Sequence, residues 1–297
     1  GRVYDRIIIG KKEYEFVKGV EQFKDQLFTY FPEEKAAITK YVDLVFAVVK
    51  SMGSFYSAKA LPPIFSRFFG GKMRKKYLHY ATKTTHEVLQ SITQNETLIK
   101  VLTGQYGDYG LPPKKSSFAM HAAVVRHYLN GGSFPIGGSS QIVKTIDPVI
   151  EKAGGTILIN AEVDQILIQK NRALGVQMKD GQTFNAQNVV SSTGIFNTYE
   201  KLISPSVLER HQLHKQLKKV NPSVAHACLY IGLRGSPEAL QLPKNNLWIY
   251  PEKGDNDSIV DRYLKDPKKA FPVVYISFPA AKDPSWSERY PTEVPSI

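Results

Sequence analysis

The sequence is poor in cysteine, in long apolar runs and, over one extended stretch, in acidic residues. Cys228 is the only cysteine among 297 residues. One thiol closes no internal disulfide and builds no cysteine zinc site, so the fold must rest on its core. Cys228 lies in the apolar run 225–233 and is expected to be a small core residue. No apolar stretch approaches the roughly 20 residues that span a bilayer. The longest, 41–52, is broken by Asp43 and Lys50. The first residues, Gly1-Arg2-Val3-Tyr4-Asp5, show no initiator Met and no secretory leader. With strand-like residues at the start and no closing element at the end, the chain is expected to be a segment of a longer protein.

Several chemical signatures are also missing. No G-x-G-x-x-G loop and no P-loop occurs. Gly104-x-x-Gly107-x-x-Gly110 has glycines, but it follows a helical pattern and no clear helix starts at its end. His211 and His214 lie among Glu209, Arg210, Gln212 and Lys215, the pattern of a solvated helix face, and no metal ligand set is assigned. No zinc-finger, helix-turn-helix or RNP signature accompanies the basic charge, so nucleic acid is not an expected partner.

What is present is globular. Apolar residues make up 42% and charged residues 22%, with a net charge of +12. Both fractions suit a soluble fold, and the length suits about two domains. The charge is uneven. Between Leu44 and His86 there is no Asp or Glu, but there are eight cations: Lys50, Lys59, Arg67, Lys72, Arg74, Lys75, Lys76 and Lys83. Phe65, Phe68, Phe69 and Met73 are interleaved with them. Bulky apolar groups among unopposed cations suit an anionic bilayer interface, with Lys72, Arg74, Lys75, Lys76, Phe68 and Phe69 as the contact. The same pattern also suits a helical subdomain with a basic face.

A hairpin is expected near the start, with strands through Ile7–Ile9 and Tyr14–Val17, then a helix. After Pro32, the residues Ala37, Tyr41, Leu44, Val45, Val48, Val49 and Met52 share one helical face. Helical turns continue over 85–102 with a cap at Asn95, and another helix runs from Ser116 or Ser117 to Gly131-Gly132. A helix capped at Ser139 or Ser140 follows, with Pro148 inside it. Strands are expected at 156–160, 163–169, 174–179, 183–186 and 188–192, with a tight turn at Asp180-Gly181. A helix over 206–219 and strands at 226–233, 247–250 and 273–278 complete the pattern. The class is α/β, with an α+β part. The expected division is 1–130, 131–197 and 198–297.

The segment 131–138, Gly-Gly-Ser-Phe-Pro-Ile-Gly-Gly, is the best local signal. Its glycines allow close backbone approach to a ligand, and a helix N-terminus follows. Taken on its residues alone, a helix C-cap followed by an N-cap, with glycine needed for geometry, is the favoured reading.

Phe134-Pro135-Ile136-Gly137-Gly138-Ser139-Ser140, then Ala153-Gly154-Gly155, Ala161-Glu162-Val163, Asp180-Gly181 and Val189-Val190-Ser191 form a run similar to the central part of the phytoene desaturase and carotenoid isomerase superfamily of flavoproteins. Gly194-Ile195-Phe196-Asn197-Thr198-Tyr199-Glu200 and Phe278-Pro279-Ala280-Ala281-Lys282-Asp283-Pro284-Ser285-Trp286 resemble the retinol saturase family within it. So do Phe118-Ala119-Met120-His121, His127-Tyr128 and Leu233-Arg234-Gly235.

The resemblance implies a two-domain FAD-dependent oxidoreductase of the amine oxidase or phytoene desaturase type, with this chain its central part. In that family, 1–130 and 198–297 would form the substrate domain, and 131–197 would return to the FAD domain. Phe134, Pro135, Gly137, Gly138 and Ser139 would lie near the flavin, Glu162 and Val163 beside the adenine, and Ser192, Thr193 and Gly194 near the pyrophosphate. The implied substrate is an apolar polyene, a retinoid or carotenoid. The implied reaction saturates a C=C bond of all-trans-retinol, with NAD(P)H as a possible electron donor. Isomerisation or desaturation of carotenoids is the alternative, and a non-catalytic lipid-binding module is the alternative of another class. The implied location is peripheral on a membrane, at the endoplasmic reticulum in a eukaryote or on the cytoplasmic side in a bacterium. The chain alone would bind flavin weakly or not at all.

One departure matters. The family loop often carries an aromatic and a charged residue around its Pro, whereas Phe134 and Ile136 flank Pro135 here. No proton donor is left in the loop. His121, His127 and Tyr128 upstream are the candidate polar neighbours of the substrate, and His121 also fits a satisfied core histidine.

Overall fold

The structure, a computed structural model, describes residues 2–221 and 224–290. These form two compact units, one from Gly1–Gln141 with Val224–Ile297 and the other from Ile142–Ser223. The chain is a mixture of helices and strands, as the α/β class requires.

In the first unit, β1 (Val3–Ile9) and β2 (Lys12–Val17) form the expected hairpin. Alternation decides its faces. Ile7, Ile9, Tyr14 and Phe16 are buried, while Arg6 on the other face pairs with Glu13 and Glu15 at 3.3 and 2.9 Å. Helix α1 (Val20–Tyr30) buries Phe23 and Leu27. Helix α2 (Lys35–Ala60) buries Ile38, Tyr41, Val42, Val45 and Val48. The stripe is centred on Ile38 and Val42, so Leu44, Val49 and Met52 flank the core instead of lying within it.

Pro62-Pro63 ends that direction, because the residue before a proline is driven out of helical geometry. Helix α3 (Pro63–Ala81) then packs back along α2. Helix α4 (Thr85–Gln90) starts in a capping box between Thr84 and Glu87. Helix α5 (Glu96–Leu102) starts on the Asn95 side chain, which accepts from the Leu98 amide at 3.0 Å. Helix α6 (Phe118–Tyr128) is capped by Ser117.

Helix α7 (Ser140–Lys152) leads into the second unit. There β3 (Val163–Gln169), β4 (Arg172–Met178) and β5 (Thr183–Asn185) form an antiparallel sheet. A π-helical turn covers Asn197–Leu202. The helix expected over 206–219 is two helices, α8 (Pro205–Arg210) and α9 (Leu213–Leu217), because Gln212 between them has φ +52.

The chain returns to the first unit as β6 (Asn246–Tyr250), α10 (Asn256–Lys265), β7 (Val274–Ile276), α11 (Pro279–Lys282) and α12 (Trp286–Arg289). Strand β6 lies parallel to β1, with Asp5 opposite Asn246 and Ile7 opposite Trp248. The sheet order is β2-β1-β6-β7. Its inner face packs on α2, α5 and α6 around Ile7, Tyr41, Leu98, Phe118 and Trp248.

Three expected strands, 156–160, 188–192 and 226–233, do not form. Among the described residues, none of these apolar runs joins either sheet to pair its N–H and C=O groups, and such runs become strands only inside a sheet. Ile159, Val190 and Tyr230 stand 81, 94 and 85% exposed. Cys228 is exposed for the same reason, which corrects the expectation of a core residue. Ile142, Val143, Ile146 and Val149 on α7 are likewise exposed. Among the described residues, no helix is long and apolar enough to cross a membrane.

Candidate functional site

The end of α6 is tied to the hairpin, because Gly19 N–H donates to the Leu129 carbonyl at 3.0 Å. The glycine-rich segment follows. Gly137 is buried there with φ +90, a conformation that favours glycine. Its N–H lies 3.2 Å from each carboxylate oxygen of Asp283. Asp283 also accepts from the Ser285 amide at 3.0 Å and the Ser285 hydroxyl at 2.8 Å. Arg289 completes the cage as an ion-pair partner and reaches the Tyr290 hydroxyl at 3.1 Å. The Asp283 side chain is fully covered. Burial by itself would raise its pKa; hydrogen bonds from Ser285, Gly137 and Arg289 outweigh that and hold the carboxyl at about 2. Residues 131–141 therefore belong with the first unit, not with the middle segment.

Lys282, the residue before Asp283, faces a second network. Its ammonium donates to the Asn246 side-chain oxygen and to the Ser277 hydroxyl. Asn246 in turn donates to Asp5 at 2.7 Å, and Gln105 and Trp248 donate to the other Asp5 oxygen at 2.5 and 3.2 Å. Asp5 is fully buried. Burial raises its pKa, against the hydrogen bonds from Asn246, Gln105 and Trp248. Burial also lowers the pKa of Lys282, with Asp5 opposing. The network locks β1, β6, α11 and the segment after α5 into one frame.

That segment carries the glycines of 104–110. A Cβ on Gly107 would stand 2.8 Å from the Trp248 ring, so only glycine lets the turn Tyr106–Asp108 lie on the sheet. On the far side of the turn, the Tyr109 hydroxyl lies 3.0 Å from His121 Nδ1, and the Tyr41 hydroxyl lies 2.8 Å from His121 Nε2. Burial lowers the His121 pKa to about 3, so the ring is neutral. Asp108, held between these two anchors, is open to solvent on one side and crowded by protein elsewhere. That crowding pushes its carboxyl up to about 6, and the Tyr128 side chain opposes the shift. The Tyr128 ring stacks on Tyr4 at 5.4 Å. Tyr275, 48% exposed, stands edge-on to Trp248 at 4.6 Å. The arrangement gathers aromatic rings beside a carboxyl whose pKa is raised.

No protein-family model matches the chain. An all-trans-retinol 13,14-reductase from Danio rerio is 34% identical over 97% of the chain and 50% of its own length. The chain is a homologue of the retinol reductases. A second Danio rerio protein, an inactive all-trans-retinol 13,14-reductase, is 30% identical over 98% of the chain and 50% of that relative. Prolycopene isomerase 1 of an Oncidium hybrid cultivar is 22% identical over 89% of the chain and 44% of its own length. The chain thus spans about half the length of the curated relatives that it matches.

The residues expected from sequence fall into separate groups. Phe134, Pro135, Gly138 and Ser139 lie on the loop that Gly137 anchors, with Phe134 and Pro135 half-buried and Ile136 exposed. Tyr128 stands at the base of this loop. His127 is exposed beside it, edge-on to the Tyr128 ring. His121 is a core histidine between two tyrosines.

In the second unit, Glu162 pairs with Lys179 at 2.5 Å and Val163 opens β3 opposite Met178. Ser192 and Thr193 are exposed, and the Thr193 hydroxyl joins those of Ser191 and Thr198 at 3.1 Å. Gly194 has φ +91 and open space where a side chain would be. On α3, Phe68, Phe69, Lys72, Lys75 and Lys76 are exposed, while Arg74 is half-buried and donates to the Gly70 carbonyl at 3.0 Å. Among the described residues, no three His, Cys, Asp or Glu side chains gather to hold a metal ion. Gly104, Gly107 and Gly110 were considered from sequence only as a phosphate loop and set aside, and the carboxylates of Asp5, Asp108 and Asp283 were not singled out. The glycine spacing 104-107-110 and the quoted run 278–286 were the signals available.

Proposed function

We propose that the full-length protein is an FAD-dependent oxidoreductase that saturates a C=C bond of an apolar polyene, all-trans-retinol being the first substrate to test. The single observation that carries this is the joining of a run that resembles the retinol saturase family to one that resembles its flavoprotein superfamily: Asp283 of 278–286 holds Gly137 of 134–140. The residues present suit a dinucleotide. Gly194 leaves its backbone open, and the hydroxyls of Ser191, Thr193 and Thr198 stand beside it as donors for phosphate oxygens. Phe134 to Ser139 would border the flavin, and Glu162 with Val163 the adenosine end. The bound flavin would supply a pair of electrons and one hydrogen. The chain's own part is to hold the polyene against aromatic walls, exclude water and provide a proton.

An inactive relative of comparable identity makes direct measurement necessary. Full-length protein is expected to purify yellow with one flavin. After anaerobic reduction with dithionite, added all-trans-retinol should reoxidise it and yield dihydroretinol. Colourless protein that takes up no flavin refutes the reading, and turnover of a poly-cis carotenoid without retinol turnover favours the isomerase alternative.

Peripheral membrane attachment would run through α3. Ile64, Phe65, Phe68 and Phe69 stand 54–75% exposed beside Arg67, Lys72, Lys75 and Lys76. Exposed aromatics among cations suit an anionic headgroup layer that an apolar substrate would leave on its way to the site.

A further inference from the structure

We propose that the groove along α3 seats one acyl chain of an anionic phospholipid, with the Lys72 ammonium on its headgroup phosphate. The proposal rests on the membrane reading of α3 above and names the lipid that the attachment would select.

The groove is a definite feature of the first unit. It offers about 450 Å³ and is lined by Leu61, Phe65, Phe69, Lys72 and Met73. Leu61 stands where α2 has ended, just before Pro62-Pro63, so one end of the groove is held at the elbow between the two helices. Phe65, Phe69, Lys72 and Met73 recur at spacings of three and four and share one stripe of α3. From Phe65 to Met73 the stripe rises about 12 Å. A second stripe, Ile64, Phe68 and Lys75, lies further round the helix and does not line the groove.

Another side of α3 is fixed to α2. The Ser66 hydroxyl donates to the Ala58 carbonyl at 3.3 Å, Gly70 is buried, and the Tyr77 ring lies 4.4 Å from that of Phe55. A helix held in this way cannot roll to bury its aromatics, and Phe65 and Phe69 are left 54 and 59% exposed. Two cations of the stretch serve the fold: Arg74 donates to the Gly70 carbonyl at 3.0 Å, and Lys59 lies over the Phe55 ring at 4.8 Å. Lys72 does not. Among the described residues no carboxylate pairs with it, and the sequence from 44 to 86 supplies none.

Shape and charge together name the occupant. Apolar walls take a hydrocarbon chain, and a lysine lays its stem along such a wall while keeping its ammonium at the water edge. Arg67, Lys75 and Lys76 are exposed nearby with no acid among them, so that edge favours a phosphate over a neutral or cationic head. The bilayer is the favoured source. Ile64 and Phe68, 64 and 75% exposed, stand outside the groove and would still need an apolar phase once it is filled. Attachment is then selective and saturable, where a basic patch alone would only sum charge.

Tryptophan reporters on the full-length protein test this, read as the difference from the parent protein. Phe69→Trp stands in the groove and Phe68→Trp on the outer stripe. Both positions are exposed, so neither replacement disturbs the core. The probe is a short-chain phosphatidylserine, brominated on its acyl chains and kept monomeric. Saturable quenching of F69W by one bound lipid is expected, with little quenching of F68W. Adding K72Q should weaken the binding by about 5-fold, the worth of one cation near anionic lipid.

Equal quenching at both positions, or none at F69W, overturns the proposal. So does a brominated laurate that quenches F69W while the phospholipid does not, which would assign the groove to a free fatty carboxylate. Flotation with phosphatidylcholine–phosphatidylserine vesicles separates the two readings. Vesicle binding without monomer quenching at F69W refutes the chain seat alone. Quenching without flotation refutes membrane attachment through α3 and leaves the lipid seat standing.

Discussion

Asp283 is the residue whose loss should be felt furthest from its own position. Asp283→Ala leaves the buried Gly137 amide with no acceptor, which costs about 1–3 kcal/mol. The Arg289 ion pair adds less. Its side chain is 28% exposed and regains water when the partner goes, so about 0–1 kcal/mol is at stake there. The total expected loss is about 2–3 kcal/mol. D283N retains one acceptor oxygen and is expected to lose about 1 kcal/mol, the worth of one ordinary hydrogen bond.

The assay is urea unfolding of the full-length protein, read with amide exchange of the segment 134–139. Exchange there should accelerate by about 30–100-fold in D283A, since each 1.4 kcal/mol is a factor of ten. The pH dependence has a definite sign. The folded carboxyl titrates at about 2, below the ordinary 3.8, so the unfolded chain takes up its proton first as pH falls. The clamp's contribution is therefore complete above pH 4 and is lost towards pH 2. D283N should flatten that limb. Unchanged exchange at 134–139 in D283A would refute the clamp.

Two further outcomes are expected. His121 titrates at about 3 in the fold against an ordinary 6.5, so its contribution is complete above pH 6.5 and lost as the pH falls towards 3. His121→Leu should remove that acid sensitivity but lower stability at pH 7 by about 1–3 kcal/mol, because the buried Tyr41 hydroxyl loses its partner. Urea midpoints at pH 5 and 7 check both. On α3, replacing Lys72, Lys75 and Lys76 with Gln should weaken flotation with anionic vesicles by about 100-fold, at about 1 kcal/mol per cation. Undiminished flotation would rule out α3 as the anchor.

Much of the local structure was legible in sequence because it is locally encoded. The Asn95 cap, the hairpin around Gly10 and the stop at Gly131 all follow from single residues with strong backbone preferences. The strands expected at 156–160, 188–192 and 226–233 misled for a physical reason. Their apolar runs satisfy strand propensity, but a strand also needs a neighbour, which lies outside any local window. The site was legible only in pieces. The runs at 131–138 and 278–286 were visible separately, and nothing in either shows that Asp283 meets Gly137 across 146 residues. Asp108 was hidden in a glycine pattern that fails as a phosphate loop. Its glycines prove to serve packing against Ile7 and Trp248.

The parallel pairing of β1 with β6 has a consequence for how the molecule is made. Asp5 and Asn246 are 241 residues apart. A ribosome adding about 5–20 residues per second needs about 10–50 s to cover that distance. For all of that time the inner edge of the first hairpin waits without its partner strand, and an unpaired edge is a template for the wrong one. Slow synthesis or crowded expression should therefore favour misassembly at β1 over damage anywhere else in the chain.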